Sequence, residues 1–307
     1  MSSNLEQQPI RAFRTNAPSR GEWVGWLPLC FLPLISFSTR GFIPSWVFMW
    51  LLAFSIYVGL KWLTWWQARN NSVHPTWYSA AYLLGWPGMD ADSFFTVTAD
   101  VAHPRPAEWL WAALKTTTGV ALIWFVARTI PGRLMLIRGW IGMLGLILLL
   151  HFGIFHLLAL LWRSCGVHAD EIMRSPLKSQ SLSEFWGRRW NLGFRQLSHE
   201  LIFRPLVGRM GPRLAGFLVF VFSGLLHDLV ISVPAGGGYG LPTLYFTIQG
   251  LGTAVEHSSA GKKLRVRRGL RGWLFMAAVT ALPVFWLFHP PFVKHVIIPF
   301  MYAIRAL

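Results

Sequence analysis

Eight stretches of this chain are apolar over roughly the length needed to cross the ~30 Å of a bilayer's hydrocarbon core. No other feature constrains the fold as strongly, because backbone surrounded by lipid must hydrogen-bond to itself and so becomes helical. The runs fall at 24–38, 42–60, 107–127, 139–162, 214–234, 241–256, 273–289 and 292–304. Several are short, which leaves tilt, re-entrance or burial within a bundle open. Composition agrees: 54% of residues are hydrophobic and 13% charged, against about a quarter charged in soluble domains. Between 67 and 106, Pro75, the Gly85-Trp86-Pro87-Gly88 turn, Pro104 and Pro106 break any regular span. The expectation is an all-α polytopic transmembrane helix bundle of about eight spans plus interfacial or re-entrant helices. It forms one domain over 24–307 after a polar, basic segment at 1–23.

The formal net charge of +16 does not indicate a nucleic-acid binder, whose Lys and Arg would line a polar face. Here they cluster in short loops between apolar runs, where they fix orientation and attract anionic lipid or a phosphate-bearing cosubstrate. Placing Met1 to Arg20 in the cytosol puts the basic loops 61–105, 163–213 and 262–271 inside and the uncharged 234–240 outside. Arg128 to Arg138 is the exception, so the span count before residue 139 is open by one. Tryptophans at 23, 26, 62, 65, 66, 109 and 111 sit at run ends, at headgroup level. No cleaved signal is expected, which points to a multi-pass protein of the inner or plasma membrane. Cys30 and Cys165 stand far apart and read as free thiols.

Two polar constellations interrupt this apolar background. Ser181 to Asn191 reads Ser-Leu-Ser-Glu-Phe-Trp-Gly-Arg-Arg-Trp-Asn, a density of charge and amide that points to function near a bilayer. An amphipathic surface helix with snorkelling arginines would use the same residue types. Such a helix leaves unexplained the spacing of Phe185, Trp186, Trp190 and Phe194, and the poor helix former Asn191 among them. The second constellation is Phe-Ser-Gly-Leu-Leu-His-Asp, ending at His227 and Asp228 inside the 214–234 run. Ser223 and Gly224 precede His227 by four and three positions, offering a hydroxyl and open space on its helical face. His227 is either a core histidine bonded to a neighbouring carbonyl or serine, or a base near neutral pH. Asp228 lies about 100° further round the helix and is expected to cap or brace another element. Metal chemistry is not expected: His151 and His156 do not share a helix face, and Asp90-Ala91-Asp92 after Pro-Gly-Met reads as a turn and helix cap.

The run from Ser181 to Asn191 resembles the wax-synthase branch of the membrane-bound O-acyltransferase family, in which a Phe-Trp-Gly-Arg-Arg-Trp-(Asn/His) run precedes a Ser-Gly-x-x-His-(Asp/Glu) run on a later helix. Phe246 to Glu256 resembles the family's next helix, with its Gly and Ala-x-Glu positions, so the motif core spans 181–256. The resemblance implies transfer of a fatty acyl group from acyl-coenzyme A to the hydroxyl of a long-chain alcohol or similar lipid, as in wax ester or neutral lipid synthesis. It implies His227 and Asn191 as catalytic residues, and Trp190, Arg188, Arg189, Phe185, Trp186, Ser223 and Gly224 as substrate-binding. The chemistry suits these residue types: a hydroxyl attacking a thioester must lose its proton to a base, and an amide can hold the developing oxyanion. Arg188, Arg189, Arg174 and Lys178, in a loop expected to be cytosolic, suit the phosphates of coenzyme A. No cofactor beyond that cosubstrate is expected. The competing reading is a transporter or proton-coupled channel with an intramembrane His227–Asp228 relay.

Overall fold

The structure, a computed structural model, describes residues 22–71, 75–96 and 101–307. The basic segment assigned to the cytosol therefore lies outside the described residues up to residue 21. The described chain is all-α, with only an isolated Arg40–Ile43 bridge in extended pairing. Five helical stretches are long and apolar enough to cross a membrane: Ser45–Ala68, Pro106–Thr129, Gly132–Ser164, Leu192–Ala235 and Gly269–Leu287. The runs at 24–38, 241–256 and 292–304 form shorter helices or helical pieces.

In chain order the elements are α1 (Leu27–Ser38), α2 (Ser45–Ala68), α3 (Thr76–Gly85), α4 (Ala91–Phe95), α5 (Pro106–Thr129) and α6 (Gly132–Ser164). Helix α4 starts as its sequence asks, with the Asp90 carboxylate accepting from Ser93 N at 2.9 Å. Helix α5 starts on Pro106, and the Glu108 carboxylate accepts from Arg105 N at 2.9 Å. The Trp-rich run forms α7 (182–189).

The stretch Leu192–Ala235 has 44 residues, about 66 Å if straight and twice what a bilayer accommodates. It divides at Gly211, whose φ of 75° and ψ of 164° leave the helical region. Pro212 disfavours helical geometry for the residue before it, and glycine alone adopts that backbone without strain. The halves are α8 (192–210) and α9 (212–235). They are followed by α10 (Leu241–His257), α11 (Ser259–Leu264), α12 (Gly269–Leu287) and α13 (290–303).

The main core gathers α2, α5, α6, α9, α10 and α13, with Ile123, Met143, Val293, Val296 and Met301 almost fully buried. Tyr82, Trp86, Phe94 and Phe95 of the 76–95 segment pack on α2 and α6 as a second cluster. A third, of Leu182, Phe185 and Met276, seats α7 against α12. Between 67 and 106, where interfacial or re-entrant helices are expected, the described residues form the short helices α3 and α4, while residues 72–74 and 97–100 are not described.

Candidate active site

Helix α7 is built to hold its tryptophans in one pose. Ser181 caps it, its hydroxyl accepting from Glu184 N at 3.0 Å. From below, the fully buried Glu256 of α10 accepts from Leu182 N at 2.6 Å and Ser183 N at 3.3 Å, so a carboxylate sits at the positive end of the helix. The last turn widens: Trp190 N reaches back five residues to Phe185 O at 2.9 Å. Such one-turn π-bulges recur at functional sites. Phe185 and Trp190 stack at 5.3 Å, and Trp186 meets Phe246 at 5.7 Å and Phe220 at 5.9 Å. The Trp186 indole donates to Gln249 Oε1 at 3.3 Å, and Gln249 donates on to Val279 O at 2.8 Å.

The chain then turns a corner at Asn191, which adopts left-handed φ/ψ of 43° and 63°. Asparagine tolerates this conformation because its short side chain bonds locally. Here Oδ1 accepts from Phe194 N at 3.3 Å and caps α8. On the other side, residues 172–174 clamp the corner: Leu192 N donates to Ile172 O at 3.0 Å and Arg174 N to Arg189 O at 2.8 Å. The amide NH2 of Asn191 has no protein hydrogen-bond partner among the described residues.

Facing this corner across a cavity of about 300 Å³ is the wall of α9 and α10, at the small end of the range for ligand pockets. Asn191, Trp186 and Trp190 line one side, and Ser223, His227 and Phe246 the other. His227 Nδ1 lies 2.7 Å from Ser223 O. A carbonyl can only accept, so Nδ1 carries the proton of the neutral ring and Nε2 keeps its lone pair. The ring rests on Phe246 at 4.4 Å between centroids. Asp228 turns away and receives Gly240 N at 2.9 Å, Thr243 N at 3.0 Å, the Thr243 hydroxyl and Ser232 Oγ at 2.8 Å. Its carboxylate is saturated by the start of α10, so it braces a helix, as the sequence suggests, and forms no relay with His227.

Of the seven expected substrate-binding residues, Trp186, Trp190 and Ser223 line the cavity and four are placed elsewhere. Phe185 is buried in the third cluster beneath Trp190. Arg189 is bound to its own helix: Nε and Nη2 each lie 2.6 Å from Glu184 Oε1. Glu184 also accepts from Gln180 N at 2.8 Å, and that N–H and Arg189 outweigh its burial and hold its carboxyl below the ordinary range. Gly224 is not open space but the crossing point of α9 and α10, where a Cβ would strike the Thr243 backbone.

Arg188 is exposed at the corner, with no hydrogen bond or ion pair among the described residues. Sequence reading missed its natural companion, Arg195, which is exposed, lines the cavity and is equally unpartnered. It also missed His199 and Phe203, which line the same cavity from α8 beside Phe194, a residue whose spacing the sequence did mark. A detectable signal existed: 191, 195, 199 and 203 recur at i+4 from the cap.

Residues 169–248 match the Membrane bound O-acyl transferase family. The chain is also similar to the probable long-chain-alcohol O-fatty-acyltransferase 2 of Arabidopsis thaliana, 31% identical over 150 residues, covering 45% of this chain and 43% of that protein. The long-chain-alcohol O-fatty-acyltransferase of Simmondsia chinensis is 31% identical over 136 residues (39% and 37%). The acyl-CoA–sterol O-acyltransferase 1 of Arabidopsis thaliana is 29% identical over 134 residues (38% and 37%). In each case the matched segment spans less than half of the relative's length. With five long apolar helices, the chain is a multi-pass integral membrane protein.

Proposed function

From a chain that carries the membrane bound O-acyl transferase pattern at residues 169–248, we propose an acyl-CoA-dependent O-acyltransferase that moves a fatty acyl group onto the hydroxyl of a long-chain alcohol or similar lipid. One observation carries the reading: His227, its proton committed to Ser223 O, shares a cavity with the unsatisfied amide of Asn191. The acceptor hydroxyl attacks the thioester carbonyl as His227 Nε2 takes its proton, forming the C–O bond. The carbonyl electron pair moves to oxygen, and the Asn191 NH2 donates to that oxyanion. Collapse breaks the C–S bond, and the imidazolium returns its proton to the thiolate, leaving ester and free thiol.

Arg188 and Arg195 flank the corner as free guanidiniums suited to the phosphates of coenzyme A. Arg189, neutralised by Glu184, supports the helix instead. The aromatic walls from Trp186, Trp190 and Phe246 suit an alkyl chain, and an apolar acceptor reaches such a cavity from the bilayer. The names of the relatives, which include alcohol and sterol acyltransferases, make a long-chain alcohol the first acceptor to test and a sterol the second.

The test is to supply radiolabelled acyl-coenzyme A to purified protein with fatty alcohols, sterols and diacylglycerol in turn, and to identify the labelled ester. A wax ester from the fatty alcohol is expected. Ester from none of the acceptors, with solute flux in liposomes instead, would replace the reading with transport.

A further inference from the structure

A second polar assembly lies outside the cavity, between α5, α6 and the 165–181 loop. Lys115 Nζ is 2.7 Å from His156 Nδ1, and His156 Nε2 is 2.9 Å from Glu171 Oε1. The ammonium can only donate, so Nδ1 accepts and the ring proton is on Nε2, which sits at close range to the carboxylate without the alignment of a hydrogen bond. His156 is buried, 6% exposed. Lys115 lies nine residues into α5 and His156 eight residues before the end of α6, both about 12–14 Å from their helix ends. Charges at such depth are costly unless paired, and they mark function by default. To reach them, Glu171 draws its loop inward, where Val167 and Ala169 are almost fully buried.

The loop leads straight to the active-site corner. Ile172 O, next to Glu171, receives Leu192 N, and Met173 Sδ lies 3.2 Å from Asn191 N. Arg174 closes the clamp on Arg189 O and is itself paired with Asp170 at 2.6 Å. Every backbone contact that steadies the left-handed corner from this side thus comes from the three residues after Glu171. The neighbouring Glu108–Arg163 pair, at 2.7 Å, fastens α5 to α6 without touching the loop.

We propose that Lys115, His156 and Glu171 form an intramembrane latch that fixes the depth and angle of the corner at Asn191, making them positioning residues for the transfer step. This rests on the reading of the cavity as an acyl-transfer site. The latch touches neither His227 nor the free arginines, so releasing it misplaces the oxyanion donor and leaves donor binding intact. Misplacement of about 1 Å can cost a hundredfold in rate.

Two measurements on the full-length protein in detergent test it: steady-state kinetics and hydrogen exchange of the 170–175 and 189–194 amides by mass spectrometry. The variants are Glu171→Ala and the double variant Lys115→Met/Glu171→Ala, which removes both charges and so leaves no unpaired ammonium to prevent insertion. In both, faster exchange is expected in these two segments with unchanged protection over 215–230, and a ten- to hundredfold lower kcat with a donor KM within about twofold. Unchanged exchange in the double variant overturns the latch. Faster exchange with unchanged kcat overturns its role in positioning. Should the wild type form no ester, the functional reading falls, and the exchange arm alone decides whether the latch holds the corner.

Discussion

Asn191 carries two duties that substitutions can separate. Its backbone needs the left-handed region and its side chain caps α8, so Asn191→Gly keeps the turn while deleting the amide. Asn191→Gly is expected to lower kcat about a hundredfold, the usual cost of an oxyanion donor, with a small change in melting temperature. Asn191→Ala should add about 1–2 kcal/mol of destabilisation from the strained φ. Equal melting temperatures for the two would remove the conformational account. The arginines divide in the same way. Arg195→Ala and Arg188→Ala should raise the apparent KM for acyl-coenzyme A several-fold with kcat little changed, as lost uniform binding does. Arg189→Ala should instead lower stability, because it leaves Glu184 unpaired. That His227 and Asn191 share a cavity follows from two motifs visible in the sequence. The contrast between neighbouring arginines was not legible there, since the i,i+4 spacing from Glu184 points to Arg188 and only the widened last turn of α7 brings Arg189, five residues on, onto the carboxylate instead.

At the scale of elements, α10 organises the site through three polar side chains and one glycine contact. Gln249 holds Trp186, Glu256 holds the start of α7, Thr243 is tied to Asp228, and Gly224 allows α9 to lie against it. Glu256→Ala leaves two buried N–H groups without acceptors, so a loss of about 1–3 kcal/mol per group is expected in thermal unfolding. Glu184 gives a pH signature. Its folded pKa is depressed below the ordinary 4.5, so its stabilisation is complete above that value and is lost as pH falls through the folded pKa. Melting temperatures should therefore favour wild type over Glu184→Gln at neutral pH and converge as the pH falls through the depressed folded pKa. A constant difference across that range would contradict the Glu184–Arg189 pairing. The 192–213 stretch is where sequence reading fell short. Its five charged residues suggested a loop, yet Glu200–Arg204 pairing at 2.9 Å and the Asn191 cap support a helix, whose cavity face mixes Phe194 and Phe203 with Arg195, Ser198 and His199.

At the scale of the molecule, the cytosolic assignment of the loop around 165–181 decides whether coenzyme A reaches Arg188 and Arg195. Both native cysteines are exposed, so the label belongs in a Cys30→Ser/Cys165→Ser background. Lys178→Cys, at an exposed position, should react with an impermeant maleimide only after permeabilisation. The buried Ser179 would report nothing. The helical class and the long apolar runs were plain from residue types, because lipid enforces them. The division of Leu192–Ala235 at Gly211 and the depth of Glu171 depend on tertiary packing and left no such mark. At the centre of the proposed mechanism stands His227, whose Nε2 is left free in the cavity, and the direct test is ester formation by His227→Ala per folded molecule, with the exposed His257→Ala as control. A loss of roughly 10²- to 10⁴-fold for His227→Ala, with His257→Ala near wild type and both eluting as folded protein by size exclusion, is the expected result. Near wild-type turnover by folded His227→Ala would contradict the mechanism.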